Sequence, residues 1–237
     1  MPVIGTLGER SLHAAVKRFC EPDETRHEIP LGRFVADICG EEGILEVQTQ
    51  QFHLLRGKLA AFLPECPVTV VYPIPRTKQL QWLDSETGEL LRQRLSPRRG
   101  SAWDCFRELY RIQPFLPHPN FRLRLLLLDV AEQRYESRKN RKGYTRVDLQ
   151  PLRPLEAGDV ECIELRCPQD YTNLLPVALP PAFTTAELGK AAGIPLATAQ
   201  TALRVMAGLG AVQCSGKAGR WLLYERNTTH DTEGDAP

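Results

Sequence analysis

Apolar residues recur at helical spacing near the start of the chain. In GERSLHAAVKRFC, residues 8–20, Leu12, Ala15, Val16 and Phe19 share one face and predict an amphipathic helix. After the acidic turn EPDET come three extended candidates, His27–Leu31, Arg33–Cys39 and Gly43–Thr49, with glycines in LG and CGEEG for the turns between them. A second helical stripe, Phe52, Leu55, Leu59 and Phe62, stops at Pro64. The run VTVVYPI at 68–74 is β-branched and nearly all apolar, as expected of a strand covered on both faces. The order to this point is helix, three strands, helix, strand.

Further on, LQWLDSETGELLRQ predicts a hairpin around Glu86–Gly88, and a short helix is expected near Trp103–Tyr110. FRLRLLLLDVAEQRYE predicts one long strand, and VECIEL another that closes the region. A proline-rich stretch, LLPVALPPAF at 174–183, predicts a linker. The expected division is therefore an α/β domain over residues 1–175 and a small unit over 182–226. A polar tail, 227–237, has no apolar anchor and is expected to be disordered.

Composition narrows the class. The 237 residues are 42% hydrophobic and 25% charged, ordinary for a folded soluble protein with a sizeable core. The longest apolar run, LLLLDV at 125–130, is far too short to span a bilayer, and no charged-then-apolar leader opens the chain. Seven cysteines stand singly, an odd number with no C-x-x-C pair, which argues against a disulfide framework or a cysteine zinc site. They are expected to be reduced, mostly buried thiols of a cytoplasmic protein. The net charge of +1 says little about partners, because local patches matter more than the total. Two basic runs stand out: 92–99, ending in Arg98 and Arg99, and 138–146, with Arg138, Lys139, Arg141 and Lys142. Such runs line nucleic-acid grooves, though solvated loops have the same composition.

The candidate chemistry lies in FVADICGEEGILEVQTQQF, residues 34–52. Asp37 falls in one predicted strand and Glu46 in the next. Glu46 and Gln48 are two apart, so on a strand they project from one face, with Val47 turned to the core. A hydrolytic Mg²⁺ site needs hard oxygen ligands with positions left for water and phosphate. The polar face of a surface hairpin would show the same alternation. Asp37 alone would also suit a turn, whereas an acid inside ILEVQ is unusual for a strand.

The element order together with D-x₈-E-x-Q resembles the α-β-β-β-α-β core of the PD-(D/E)XK nuclease superfamily, the restriction-endonuclease-like fold, here with extra β-strands. The resemblance covers roughly residues 5–75. It implies that Asp37, Glu46 and the Val47 carbonyl hold Mg²⁺ or Mn²⁺, and that Gln48 stands where the family usually carries a lysine. The opening GER resembles the first helix of resolvase-like members, in which Glu9 would bring a further acid to the metal. His27 and Glu28 could approach the same site from the first strand, although exposed edge positions account for both.

The unit over 182–226 resembles a winged helix-turn-helix domain. Thr184 or Thr185 caps a short helix ended by Gly193. Pro195 opens a second helix with Ala199, Ala202, Leu203 and Met206 on one face, and a hairpin turns around Gly216–Gly219. The resemblance implies DNA contacts from Thr198, Gln200, Thr201 and Arg204 on the second helix and from Lys217 and Arg220 in the wing. Trp221 is expected in the core. DNA is thus the expected partner, a membrane is not, and a homodimer is left open. The implied activity is metal-dependent phosphodiester hydrolysis. The alternative is a nuclease-like DNA-binding or regulatory protein that has lost catalysis, as the glutamine at 48 would allow.

Overall fold

The structure is a computed structural model that describes residues 10–136, 143–156 and 158–227. Glu9, Arg138, Lys139, Arg141, Lys142 and the expected tail beyond residue 227 lie outside the described residues.

Helix α1 (Arg10–Cys20) leads into a meander of β1 (His27–Leu31), β2 (Phe34–Gly40) and β3 (Gly43–Val47). The turn into β3 depends on Gly43, whose φ is +115°. A Cβ there would stand 2.3 Å from the Pro67 carbonyl oxygen, so only glycine fits. A 3-10 turn at Phe52–Leu55 runs into α2 (Arg56–Phe62), which crosses over to β4 (Val68–Leu83), parallel to β3. The predicted stripe Phe52, Leu55, Leu59 and Phe62 is buried throughout.

Strand β4 is longer than the run at 68–74 predicts. It pairs along its whole length with the parallel β6 (Phe121–Glu136), and both are 16 residues long. Pro73 and Pro75 sit inside β4 because only one side of the strand is paired there. On its other side β3 ends opposite Val71, and the antiparallel β5 (Leu90–Leu95) has its last residue opposite Gln79. A register shift between Pro75 and Thr77 marks the same place. Between β5 and β6 lie α3 (Phe106–Leu109) and flanking 3-10 turns. Strands β7 (Tyr144–Pro151) and β8 (Glu161–Leu165) pair antiparallel with the far and near halves of β6. The result is a mixed eight-stranded sheet in the order β1-β2-β3-β4-β6-β7, with β5 on β4 and β8 on β6.

Each face of the sheet has its own core. Leu12 and Val16 of α1 pack with Val47, Val71, Leu126, Leu128, Val130 and Leu149 on one face. On the other, α2 and α3 cover Val70, Ile74, Leu123 and Leu125. That second core continues into the C-terminal residues. After α4 (Pro168–Thr172), the proline-rich stretch 174–183 is packed down, with Leu175, Leu179 and Phe183 buried. Then come β9 (Ala182–Thr184), α5 (Thr185–Ala191), α6 (Leu196–Leu209), β10 (Val212–Ala218) and β11 (Trp221–Arg226), with a three-stranded sheet in the order β10-β11-β9. Thr184 caps α5 in a reciprocal box with Glu187, and Gly210 at φ +77° ends α6. Ala199, Ala202, Leu203 and Met206 are all buried. They share one cluster with Phe106, Leu109 and Ile112, and the Thr172 hydroxyl donates to the Ala211 carbonyl at 2.8 Å.

Two expectations are corrected. Trp221 is 55% exposed rather than in the core, with the Arg220 guanidinium over its ring. Among the cysteines only Cys105 is buried, while Cys162, Cys167 and Cys214 are exposed; all seven are free thiols. No helix among the described residues is long and apolar enough to cross a membrane.

Candidate active site

The pairing of β2 with β3 brings the two predicted acids together. The register runs Gly40↔Gly43, Cys39↔Ile44 and Ile38↔Leu45, so one step further places Asp37 opposite Glu46. This explains the eight-residue spacing: two short strands and one tight turn. The ladder itself stops at Ile38↔Leu45, and Asp37 Oδ2 instead accepts the Val47 amide at 2.9 Å. A side chain thus takes the place of a backbone acceptor where the strands part.

Two residues that the sequence pattern did not single out complete the site. Lys58 reaches from α2 and donates to Glu46 Oε2 at 2.6 Å, with its ammonium 3.9 Å from Asp37 Oδ1. His13 comes from α1 on the other face, its Nε2 3.2 Å from Asp37 Oδ2. Both stand on the flank of a core stripe. Lys58 adjoins Leu59 three residues after Leu55, and His13 adjoins Leu12 three residues before Val16. That flanking position is the only trace they leave in the sequence. Together with Val47, Gln48 and Thr49, these four side chains line a pocket of about 220 Å³.

The two carboxylates are pushed in opposite directions. Burial, with the Asp37 charge beside it, raises Glu46 to about 7 despite the Lys58 ammonium. Burial acts on Asp37 as well, but the His13 contact, the Lys58 charge and the Val47 amide outweigh it and hold Asp37 below the usual range. Glu46 is only 1% exposed, and its Oε1 is buried with no hydrogen-bond partner. An orphaned, deeply buried carboxylate oxygen is costly. Asp37 Oδ1 is likewise engaged only at a distance, by Lys58. Each acid therefore has one oxygen without a hydrogen bond, and a hard donor pair of this kind would suit Mg²⁺ or Mn²⁺ with water in the remaining positions. Among the described residues no group of three or more His, Cys, Asp or Glu converges into a fuller cage.

Gln48 follows the end of β3, and its amide N–H continues the ladder to the Val71 carbonyl at 2.9 Å. Its side-chain nitrogen donates to the Gln50 carbonyl, which turns it along the pocket rim. His27 and Glu28 do not line the pocket. His27 contacts the Glu21 carbonyl at 2.8 Å, and Glu28 pairs with Lys17.

The residues expected to meet DNA are scattered. Arg98 and Arg99 are exposed in the loop after β5, and Arg98 contacts Asp104 at 3.2 Å. Thr198 and Thr201 are half-buried and face residues of β4 and α3 across a larger cleft. Gln200 and Arg204 are exposed, and the Arg204 guanidinium lies 5.4 Å from the Tyr110 ring centre. Lys217 and Arg220 are exposed on the β10–β11 hairpin.

Comparison with known proteins adds kinship but no chemistry. The model of a family described as a domain of unknown function (DUF8091) matches residues 10–163, and the chain belongs to that family. That span holds the acid pocket and stops short of α5 and α6. A protein of Treponema pallidum (strain Nichols), described as uncharacterized, is 29% identical over 236 residues, covering 99% of this chain and 92% of its own length. No solved structure matches the chain.

Proposed function

We propose that this family member is a divalent-metal-dependent nuclease whose first unit has the restriction-endonuclease-like arrangement and whose α5–α6 unit is a winged helix. The observation that carries the reading is the facing pair Asp37 and Glu46, each with one oxygen to spare, beside a lysine ammonium. Mg²⁺ or Mn²⁺ held there would lower the pKa of a bound water and neutralise charge at the scissile phosphate. The protein's own groups have separable tasks. His13 and the Val47 amide fix Asp37 in place and keep it ionised. Lys58 occupies the neighbourhood that the lysine usual in PD-(D/E)XK nucleases would occupy from position 48, but it arrives from α2. Its ammonium can turn from Glu46 to a phosphate oxygen. Gln48 then needs only to orient.

One observation favours a second reading, a binder that has lost catalysis. Lys58 already neutralises Glu46 without any ion, as it would in a purely structural pair. Calorimetric titration with Mn²⁺ separates the two. The nuclease reading expects binding that Glu46→Ala and Asp37→Ala both remove, together with Mn²⁺-dependent cleavage of DNA by the wild type. Equal heats for wild type and variants would refute it.

A further inference from the structure

A cleft of about 700 Å³ opens beside the acid pocket and shares Thr49 with it. It lies along the interrupted edge of β4, between the end of β3 and the end of β5. Half-buried Tyr72 and the largely buried Trp103 line it, and Lys78, Arg98 and Arg107 contribute charge. Lys78 and Arg98 are tied to Glu132 and Asp104, but Arg107 is exposed and has no ion pair among the described residues. The opposite wall is the first two turns of α6, through Ala197, Thr198 and Thr201.

This wall changes what α6 can do. A recognition helix reads duplex DNA by lying in a major groove about 12 Å wide, with its polar face open to solvent. Here Thr198 and Thr201 face residues of β4 and α3 across a cleft, and Ala199, Ala202, Leu203 and Met206 of the same helix are buried in the core. A duplex cannot reach those two threonines while α6 stays docked. The cleft volume is that of an ordinary ligand pocket, enough for a short length of unpaired strand and far too small for a double helix. A groove that combines cations with aromatic rings is the usual way to hold such a strand without reading its sequence.

We infer that the cleft between β4 and α6 holds an unpaired DNA strand and leads its backbone past Thr49 to the Asp37–Glu46 pocket. The inference rests on the nuclease reading above and adds the substrate class: single-stranded, frayed or flapped DNA rather than intact duplex. The α6 unit then acts as a wall of the substrate channel, not as a major-groove reader.

Fluorescence anisotropy of the full-length protein in EDTA tests it, using a labelled oligothymidylate of about 12 nucleotides and a duplex of equal length. The single strand should bind more tightly. Arg107→Ala should weaken it about tenfold and lower the slope of log K against log salt by about 0.7. Thr198→Trp, which fills the cleft, should weaken it as well. Glu46→Ala should leave strand binding in place. Tighter binding of duplex, no binding of either, or wild-type affinity in both Arg107→Ala and Thr198→Trp would overturn the inference. Cleft-dependent strand binding by a wild type that cuts no DNA with Mn²⁺ would leave it standing and sink the nuclease reading alone.

Discussion

Glu46 on β3 and Glu132 on β6 make an instructive pair. Both are buried strand glutamates, 1% and 4% exposed, and both accept a lysine at hydrogen-bond distance: Lys58 at 2.6 Å and Lys78 at 2.8 Å. They differ in the third charge. Arg134 donates to Glu132 from Nε at 2.7 Å, so both of its oxygens are satisfied. Burial pushes the Glu132 carboxyl up, but Lys78 and Arg134 together bring it below the usual range. Glu46 instead meets a second acid, is raised to about 7 and keeps an orphaned oxygen. The same residue at the same depth is a structural tie in one place and an unfinished site in the other. An incomplete buried carboxylate beside a second acid is a candidate functional site, and the nuclease proposal takes it as one.

The comparison breaks most visibly in activity. If the pocket is catalytic, Asp37→Ala and Glu46→Ala should lower Mn²⁺-dependent cleavage by a factor of roughly 10³ or more, and Lys58→Ala by roughly 10²–10³. Single-turnover cleavage of a flapped oligonucleotide measures all three. Loss confined to Lys58→Ala, with both acid variants active, would assign the chemistry elsewhere.

Stability separates the two glutamates next. Glu132→Gln removes the charge that two cations share and should destabilise by roughly 2–4 kcal/mol in chemical unfolding. Glu46→Gln removes a charge that is buried beside another of the same sign, and should be neutral or stabilising in EDTA. Similar losses for both would mean that Glu46 is an ordinary structural tie.

A pH series sharpens this further. Glu46 has its carboxyl raised from an ordinary 4.5 to about 7 in the folded chain. Between those values the folded state binds the extra proton, so stability should fall as pH rises through this window. Asp37 and Glu132 are shifted the other way, and their contributions are lost only as pH falls below the ordinary carboxylate values. In EDTA, the Tm of Glu46→Gln minus that of the wild type should therefore grow between pH 5 and 8. A constant difference would contradict the shift at Glu46.

The site was half legible in the sequence, for definite reasons. Glu46 stood out because an acid inside an apolar strand needs an explanation, and Asp37 followed from the hairpin spacing. Lys58 and His13 were hidden because a helix pattern gives the buried stripe but not how the helix sits on the sheet. That seating decides which flanking residue reaches a neighbour. Strand β4 looked finished at Ile74 because Pro73 and Pro75 normally end a central strand, and no local signal shows that one side of it is open. Trp221 misled in the opposite sense. A tryptophan in an alternating strand suggests a core, yet the β10–β11 hairpin leaves this part of its surface to solvent.

The smallest expected effect belongs to Gln48, and it tests whether Lys58 stands in for the lysine usual in the nuclease superfamily that the sequence resembles. From the sequence alone, Gln48→Lys looks like a repair that restores an ammonium beside the acids. Lys58 argues against that repair, since it already lies 2.6 Å from Glu46 and 3.9 Å from Asp37. A second ammonium would compete for the same two carboxylates and repel an incoming cation. Gln48→Ala loses only a rim side chain tied to the Gln50 carbonyl, so cleavage should slow about two- to fivefold. Gln48→Lys alone should also be slower than wild type, with weaker Mn²⁺ binding by calorimetry. Placed on Lys58→Ala, the same substitution should recover part of the lost rate, because one ammonium then serves the site from position 48. Such non-additivity is the signature of two residues competing for one role. Independent, additive effects of Gln48→Lys and Lys58→Ala would separate the positions and leave Lys58 as a partner of Glu46 alone.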